Sequence, residues 1–329
     1  MSSTVLNNFA IDLAAIQTAA TRIANQVIKT PVVSAPLIDV ESGAELFFKC
    51  ENLQHIGAFK ARGACNAVAC LDEQQAAAGV VTHSSGNHAA ALARAAALRG
   101  IAAHIVMPRN SASVKIDAVR GYGVEPTFCE PNAESRQATA DEVAAKTGAT
   151  FVHPFNNANV MAGQGTVALE LLQQADRLDV IVVPVGGGGL LAGTLVAVKS
   201  INPRIKVYAA EPEWADDAFR SMKSGKIESP ERYDSIADGL RTPLGTLTFP
   251  IVHQLVDGIL LASESAIESA TRTLILRGKL VVEPSGAVPL AAILQNRNLF
   301  SGTRVGVIIS GGNIDPTELA RLAGPAISV

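Results

Sequence analysis

Apolar segments of strand length alternate with segments of helical periodicity along most of the chain, and Gly-, Ser- or Asn-rich junctions separate them. Strands are expected at residues 45–50, 79–82, 102–107, 124–129, 150–152, 180–185, 205–210 and 304–309. Helices are expected at 11–27, 61–71, 86–99, 113–120, 134–146, 163–174, 190–199, 264–277 and 284–295, with Ser263 as an N-cap. Buried strands alternating with helices imply a parallel sheet covered by helices on both faces. The expected fold class is therefore α/β. In such sheets ligands bind at the carboxyl ends of the strands, so the junctions after strands are the places to look for function.

Composition narrows the function classes. At 329 residues the chain is long enough for about two domains. The formal charge is -3, no basic block is present, and there are only one Trp and three Tyr, which argues against nucleic-acid binding. No apolar run reaches the length of a membrane span, and the N-terminal residues do not read as a secretion signal. Cys50, Cys65, Cys70 and Cys129 form no CxxC pair and are expected as reduced thiols in a cytoplasmic protein.

Four junctions and one acidic turn carry chemistry. In Gly57-Ala58-Phe59-Lys60-Ala61-Arg62-Gly63, Lys60 stands at an expected helix start, where the macrodipole disfavours a cation. A lysine of lowered pKa can act as a Schiff-base nucleophile, although this stretch alone reads first as a surface lysine on a first helical turn. Gly186, Gly187, Gly188 and Gly189 lie between a strand and a helix, as a phosphate cradle or as a tight turn. The segment lacks the Lys-Ser/Thr of a P-loop. Ser84-Ser85-Gly86-Asn87-His88 sits at another strand-to-helix junction and suits a carboxylate, or simply an N-cap. Ser310-Gly311-Gly312-Asn313 ends the last strand as a turn. Glu211-Pro212-Glu213-Trp214-Ala215-Asp216-Asp217 gathers carboxylates that suit a hard divalent cation, or form a solvated acidic turn.

Together, and in their order along the chain, the four junction motifs resemble the pyridoxal-phosphate (PLP) enzymes of the serine racemase and serine/threonine dehydratase family, over about residues 16–315. The resemblance implies PLP fold type II, the tryptophan synthase β-like architecture. Two three-layer domains with parallel sheets are expected, a larger one at 1–77 and 155–329 and a smaller one inserted at 78–154. It implies that Lys60 carries PLP and serves as general base, with Phe59 against the ring. Asn87 would contact the ring oxygen, Gly186 to Gly189 the phosphate, and Ser310 the pyridine nitrogen, with Glu283 also at the cofactor. Ser84, Ser85, Asn87, His88 and Arg136 would bind the substrate, and Ser85 would be the second acid/base of a racemase. Arg136 alone reads equally as a surface helix arginine. Glu211, the Ala215 carbonyl and Asp217 would hold Mg²⁺ (or Ca²⁺ or Mn²⁺). A small amino-acid substrate and a homodimer follow from the same resemblance.

Within the family, Ala58 stands where serine racemases usually have serine, which is similar to the 3-hydroxyaspartate dehydratases. The segments 237–244 and 283–290 resemble that subgroup too. The expected activity is an ammonia-lyase acting on a small 3-hydroxy amino acid, 3-hydroxyaspartate first and then serine and threonine. A serine or aspartate racemase with side elimination is the alternative, and a non-catalytic PLP- or nucleotide-binding protein is a third. A second substrate carboxylate would need a cation or extra donors, for which Arg136, Arg241 and His55 are candidates. The region around His55, Ile56 and Ala90 departs from the animal racemases' nucleotide contacts, which argues against activation by ATP.

Overall fold

The computed structural model describes residues 9–84 and 86–324. Among the described residues ten strands form two sheets: β1 (Val32–Val33), β2 (Glu45–Cys50), β3 (Val80–His83), β4 (Ala103–Pro108), β5 (Thr127–Cys129), β6 (Thr150–Phe151), β7 (Val180–Pro184), β8 (Lys206–Pro212), β9 (Gly258–Ala262) and β10 (Arg304–Ile309). The larger sheet has the order β1-β2-β10-β7-β8-β9 and the smaller β5-β4-β3-β6. The architecture is α/β, as expected. One correction concerns β1, which pairs antiparallel with β2, whereas the other pairs are parallel. Two residues after a proline are too few to carry a periodic signal, so β1 was not expected. The strand β9 and the short helices Pro36–Ser42, Glu73–Ala78 and Phe249–Leu255 were not expected either.

Alternation along the strands divides the core. In β7, Ile181 and Val183 face one side, with the helices Leu13–Ile23, Ala158–Gln174 and Gly189–Ile201. Val180 and Val182 face the other, with the helices Glu264–Leu276 and Pro284–Gln295. Both sides of the strand are apolar because both faces of the sheet are covered. The smaller sheet follows the same rule. Ile105 and Met107 of β4 pack with the helices Lys60–Ala69 and Asn87–Arg99. Val106 packs with Ala140 of the helix Ala133–Thr147.

The helix Lys60–Ala69 therefore lies between the two sheets, against Asn87–Arg99 on one side and Ala158–Gln174 on the other. Among the described residues no helix is long and apolar enough to cross a membrane. All four cysteines are free thiols.

Candidate active site

Strand order brings distant motifs together. β2 and β10 are parallel neighbours in register from Glu45 with Arg304 to Cys50 with Ile309, so their carboxyl ends are adjacent. The segments that follow are joined: Ala58 bridges Gly311, the Phe59 N–H donates to the Ser310 carbonyl (3.0 Å), and the Gly312 N–H donates to the Gly57 carbonyl (2.9 Å). Ile56 (φ 58°) and Gly57 (φ 68°) are both left-handed. That conformation is strained for a β-branched residue. Asn313 holds it by donating from Nδ2 to the Ile56 carbonyl at 2.7 Å. A Cβ on Gly57 would sit 2.5 Å from Asn313 Oδ1, so only glycine fits.

This locked loop delivers Lys60 as the first residue of its helix. Its Nζ donates to the Pro154 carbonyl at 3.0 Å and lies 4.9 Å from the centroid of the Phe59 ring. The amine is pushed down to about 8, by burial against an opposing pull from Glu283. Burial, more than the helix dipole expected from sequence, is the main cause.

Lys60 faces a cavity of about 670 Å³, within the usual range for small-ligand sites. Of the expected cofactor and substrate residues, Phe59, Ser84, Asn87, His88, Arg136, Gly186, Gly187, Gly188, Gly189, Glu283 and Ser310 also line it. Ser85 lies outside the described residues. The glycine segment follows β7, and Gly189 opens the helix Gly189–Ile201. A Cβ on Gly187 would lie 2.3 Å from the Phe155 ring, so the close approach of that ring requires the glycine. Thr248 Oγ1 donates to the Gly187 carbonyl at 2.8 Å. The result is a fixed turn at a helix N-terminus, a geometry that favours an anion.

On the opposite wall, Asn87 Nδ2 donates to Glu283 Oε1 (2.9 Å), and Asn313 Nδ2 donates to Asn87 Oδ1 (2.8 Å). Glu283 is buried, and its carboxyl is pushed up to about 8 by that burial and by the nearby Asp238. His88 is also buried, and its Nε2 faces the Val152 carbonyl at 3.1 Å. Burial, reinforced by Lys60, pushes this imidazole down to about 3, so it is neutral and Nε2 is the donor. Its Nδ1 has no partner among the described residues and is an acceptor. The His88 side chain therefore ties the loop to the end of β6, and offers no donor to a carboxylate.

The turn after β6 supplies functional candidates that sequence reading missed. His153 Nδ1 accepts from the N–H groups of Phe155 (3.3 Å) and Asn156 (2.9 Å). Pro154 holds the lysine, and Phe155 covers the glycines. The available signal was positional, because this turn also follows a parallel strand. Lys115 and Asp238 form an ion pair, and both line the cavity. Of the three candidates for a second carboxylate, only Arg136 lines the cavity. Arg241 is turned to the Ser235 carbonyl (Nε, 2.7 Å). His55 lies outside the cavity lining as well.

The acidic turn is a separate region. Glu211 lies within β8, one residue beyond the expected end of that strand at 210, and is buried. Its oxygens accept from the N–H groups of Ala218 (2.7 Å) and Phe219 (2.9 Å). Asp217 is buried with neither oxygen partnered among the described residues. Burial and Asp217 push Glu211 well above the usual carboxylate range, and burial pushes Asp217 up to about 7. Asp216 is bound by Arg220 at 2.7 Å. No group of three His, Cys, Asp or Glu side chains among the described residues gathers as a metal site, so any cation here would need backbone oxygens as well.

Comparison with known proteins agrees with this geometry. A profile of the family described as pyridoxal-phosphate dependent enzyme matches residues 23–311. The chain is 50% identical over 298 residues to the beta-hydroxyaspartate dehydratase of Paracoccus denitrificans, covering 91% of this chain and 95% of that one. It is 49% identical over 314 residues to the serine racemase of Oryza sativa subsp. indica, covering 94% and 93%. The structure of maize serine racemase superposes with a TM-score of 0.93 at 46% identity, covering 95% of this chain and 97% of that one. A half-buried lysine at the carboxyl ends of parallel strands, facing the same cavity as a glycine cradle, has its explanation here: the chain is a member of the pyridoxal-phosphate-dependent enzyme family, built on fold type II.

Proposed function

We propose that this protein is an ammonia-lyase that eliminates water from a small 3-hydroxy amino acid, 3-hydroxyaspartate first and serine and threonine after it. The observation that carries the reading is Lys60: a partly neutral amine in a cavity that also holds the Gly186–Gly189 turn and the Ser84 loop. The residues fit PLP. Lys60 has one protein acceptor, the glycine turn presents a helix N-terminus without Cβ atoms, and Ser310 lines the same cavity. Gly186 to Gly189 would hold the phosphate, and Asn87, Glu283, Ser310 and Phe59 the ring. When bound, PLP supplies the electron sink that acidifies the substrate α-carbon.

The chain's own residues do the rest. The Ser84 loop and the N-terminus of the helix Asn87–Arg99 orient the substrate carboxylate. Lys60 Nζ takes the α-proton as general base. The β-hydroxyl takes up a proton and leaves as water, and the resulting enamine takes up one water to give a keto acid and ammonia. The similarity to the Paracoccus dehydratase supports 3-hydroxyaspartate as the substrate. Glu211, the Ala215 carbonyl and Asp217 would hold Mg²⁺, because a cation would relieve the repulsion between two buried carboxylates, one of which has no donor among the described residues. That ion would be structural and activating rather than chemical.

A second reading, amino-acid racemisation with Ser85 as the opposing acid/base, draws on the similarity to rice serine racemase. One reaction series separates the two. Ammonia, keto acid and enantiomer are followed with the 3-hydroxyaspartate stereoisomers, L- and D-serine, L-threonine and L-aspartate. Oxaloacetate from 3-hydroxyaspartate well ahead of pyruvate from serine is the expected result. Enantiomer exchange that outruns ammonia release would replace this reading by the second.

A further inference from the structure

The cavity wall formed by the smaller sheet and its helix Ala133–Thr147 carries several hydrogen-bond donors, and most are already engaged. His83 Nε2 is bound to Gln137 Oε1 at 3.0 Å. Lys115 is paired with Asp238. Two side chains have donor groups with no acceptor among the described residues. One is Arg136, whose Nε is buried and unpartnered. The other is His153. Its Nδ1 accepts two backbone N–H groups within its own turn, so the proton of the neutral ring must sit on Nε2, at the opposite edge. The ring lines the cavity and stands edge-on to Phe155, with centroids 4.5 Å apart, so its orientation is set by packing as well as by hydrogen bonds.

We infer that His153, through Nε2–H, is a specificity-determining residue that works with Arg136 to bind a second, distal carboxylate on the amino-acid substrate. Arg136 and His153 line the same cavity, and a guanidinium together with a fixed N–H donor suits an anion with two acceptor oxygens. Serine, alanine or threonine has no such group to offer. Burial, His83 and Lys60 push the His153 imidazole down to about 4, so it acts at neutral pH as a neutral donor and adds no charge. The neighbouring Lys60 amine, bound to Pro154 of the same turn, places this donor beside the reacting centre. The inference deepens the dicarboxylic-substrate reading given above and rests on it.

Two variants separate the two ring nitrogens. In His153→Asn the amide oxygen falls near the position of Nδ1 and keeps an acceptor for the turn, while the Nε2 donor is lost. In His153→Gln the amide N–H reaches toward the position of Nε2. The PLP-loaded wild type and both variants are titrated with L-aspartate and with L-alanine, following the absorbance of the bound cofactor. Neither ligand has a β-hydroxyl, so the readout does not require elimination. Wild type is expected to prefer aspartate. The Asn variant is expected to lose about tenfold or more of the aspartate-to-alanine affinity ratio, the size of one hydrogen bond to a charged group. The Gln variant is expected to regain part of it. An unchanged ratio in the Asn variant overturns the inference, as does equal weakening of both ligands, which would mark a purely structural turn. No aspartate preference in the wild type overturns it too. Failure of the ammonia-lyase reading shows elsewhere, as absent ammonia release from 3-hydroxyaspartate while the ratio and its response to His153→Asn persist.

Discussion

Lys60 and Arg62 lie two residues apart in one helix, yet their surroundings are opposite. Arg62 is fully buried and completely engaged. Its Nε and one terminal nitrogen donate to Glu51 (2.7 and 2.8 Å), and its terminal nitrogens donate to Glu170 (2.7 and 2.8 Å). Lys49 donates to the same Glu170 at 2.6 Å and to the Thr30 carbonyl at 2.7 Å. Two cations and two carboxylates thus cancel inside the protein. Burial alone would lower the pKa of Arg62, but Glu51 and Glu170 outweigh it and hold the charge. Lys60 has one neutral acceptor and is pushed down to about 8. The buried charges that find each other knit the two sides of the helix into the core. The buried amine that finds none is left available for chemistry. The pair Glu211 and Asp217 belongs with Lys60 in this respect, since neither carboxylate is ion-paired with a cationic side chain among the described residues.

The largest expected effect separates the two roles within the helix. Lys60→Met should lower ammonia release by about 10²–10⁴-fold or more, the range for loss of a general base, while the urea midpoint of the cofactor-free protein stays within error. After borohydride reduction, mass spectrometry should find the cofactor on the Lys60 peptide of wild type and not in the variant. Arg62→Met should show the converse. It leaves Glu51 and Glu170 buried without their partner, and the expected cost is about 3–5 kcal/mol in urea unfolding. If Arg62→Met unfolds at the wild-type midpoint, the contrast drawn here collapses.

The acidic pair gives the next effect. Mg²⁺ at a hundredfold excess over its dissociation constant should stabilise wild type by about 2.7 kcal/mol relative to chelator, and Asp217→Asn should remove that difference. Equal melting in chelator and Mg²⁺ would count against the cation. The smallest effect concerns Glu283, whose folded-state pKa is raised to about 8. A raised carboxyl favours folding below its ordinary pKa, and that contribution is lost as pH rises through about 8. Cofactor-free Glu283→Gln should therefore gain on wild type as pH rises from about 4.5 to about 8. Parallel stability profiles for the two proteins would show that Glu283 is not held protonated.

Much of the site was readable because its parts are local. A glycine run between a strand and a helix, a lysine at a helix start and a serine-rich helix entry are short-range patterns, and their place in the fold follows from strand–helix alternation. The turn at His153 to Phe155 escaped because its significance is entirely relational. Pro154 matters for an amine 94 residues away in the chain, and Phe155 for a glycine whose Cβ it would exclude. His88 lay in the right loop, but its ring turns to the Val152 carbonyl, which no spacing rule conveys. Arg241 looked as available as Arg136 until Ser235 proved to hold it.

Periodicity, junction residues and composition by themselves determined an α/β chain with its chemistry at strand ends, because these depend on each residue's near neighbours and on which faces must be buried. Only the tertiary structure decided which charges cancel and which remain. The pairing of β2 with β10 carried the Lys60 loop onto Ser310, and the crossing of Lys60–Ala69 over Ala158–Gln174 brought Glu170 to Arg62. The free energy of a buried charge depends on the partners and the solvent within a few ångströms in space, and strand order and helix crossing set those partners.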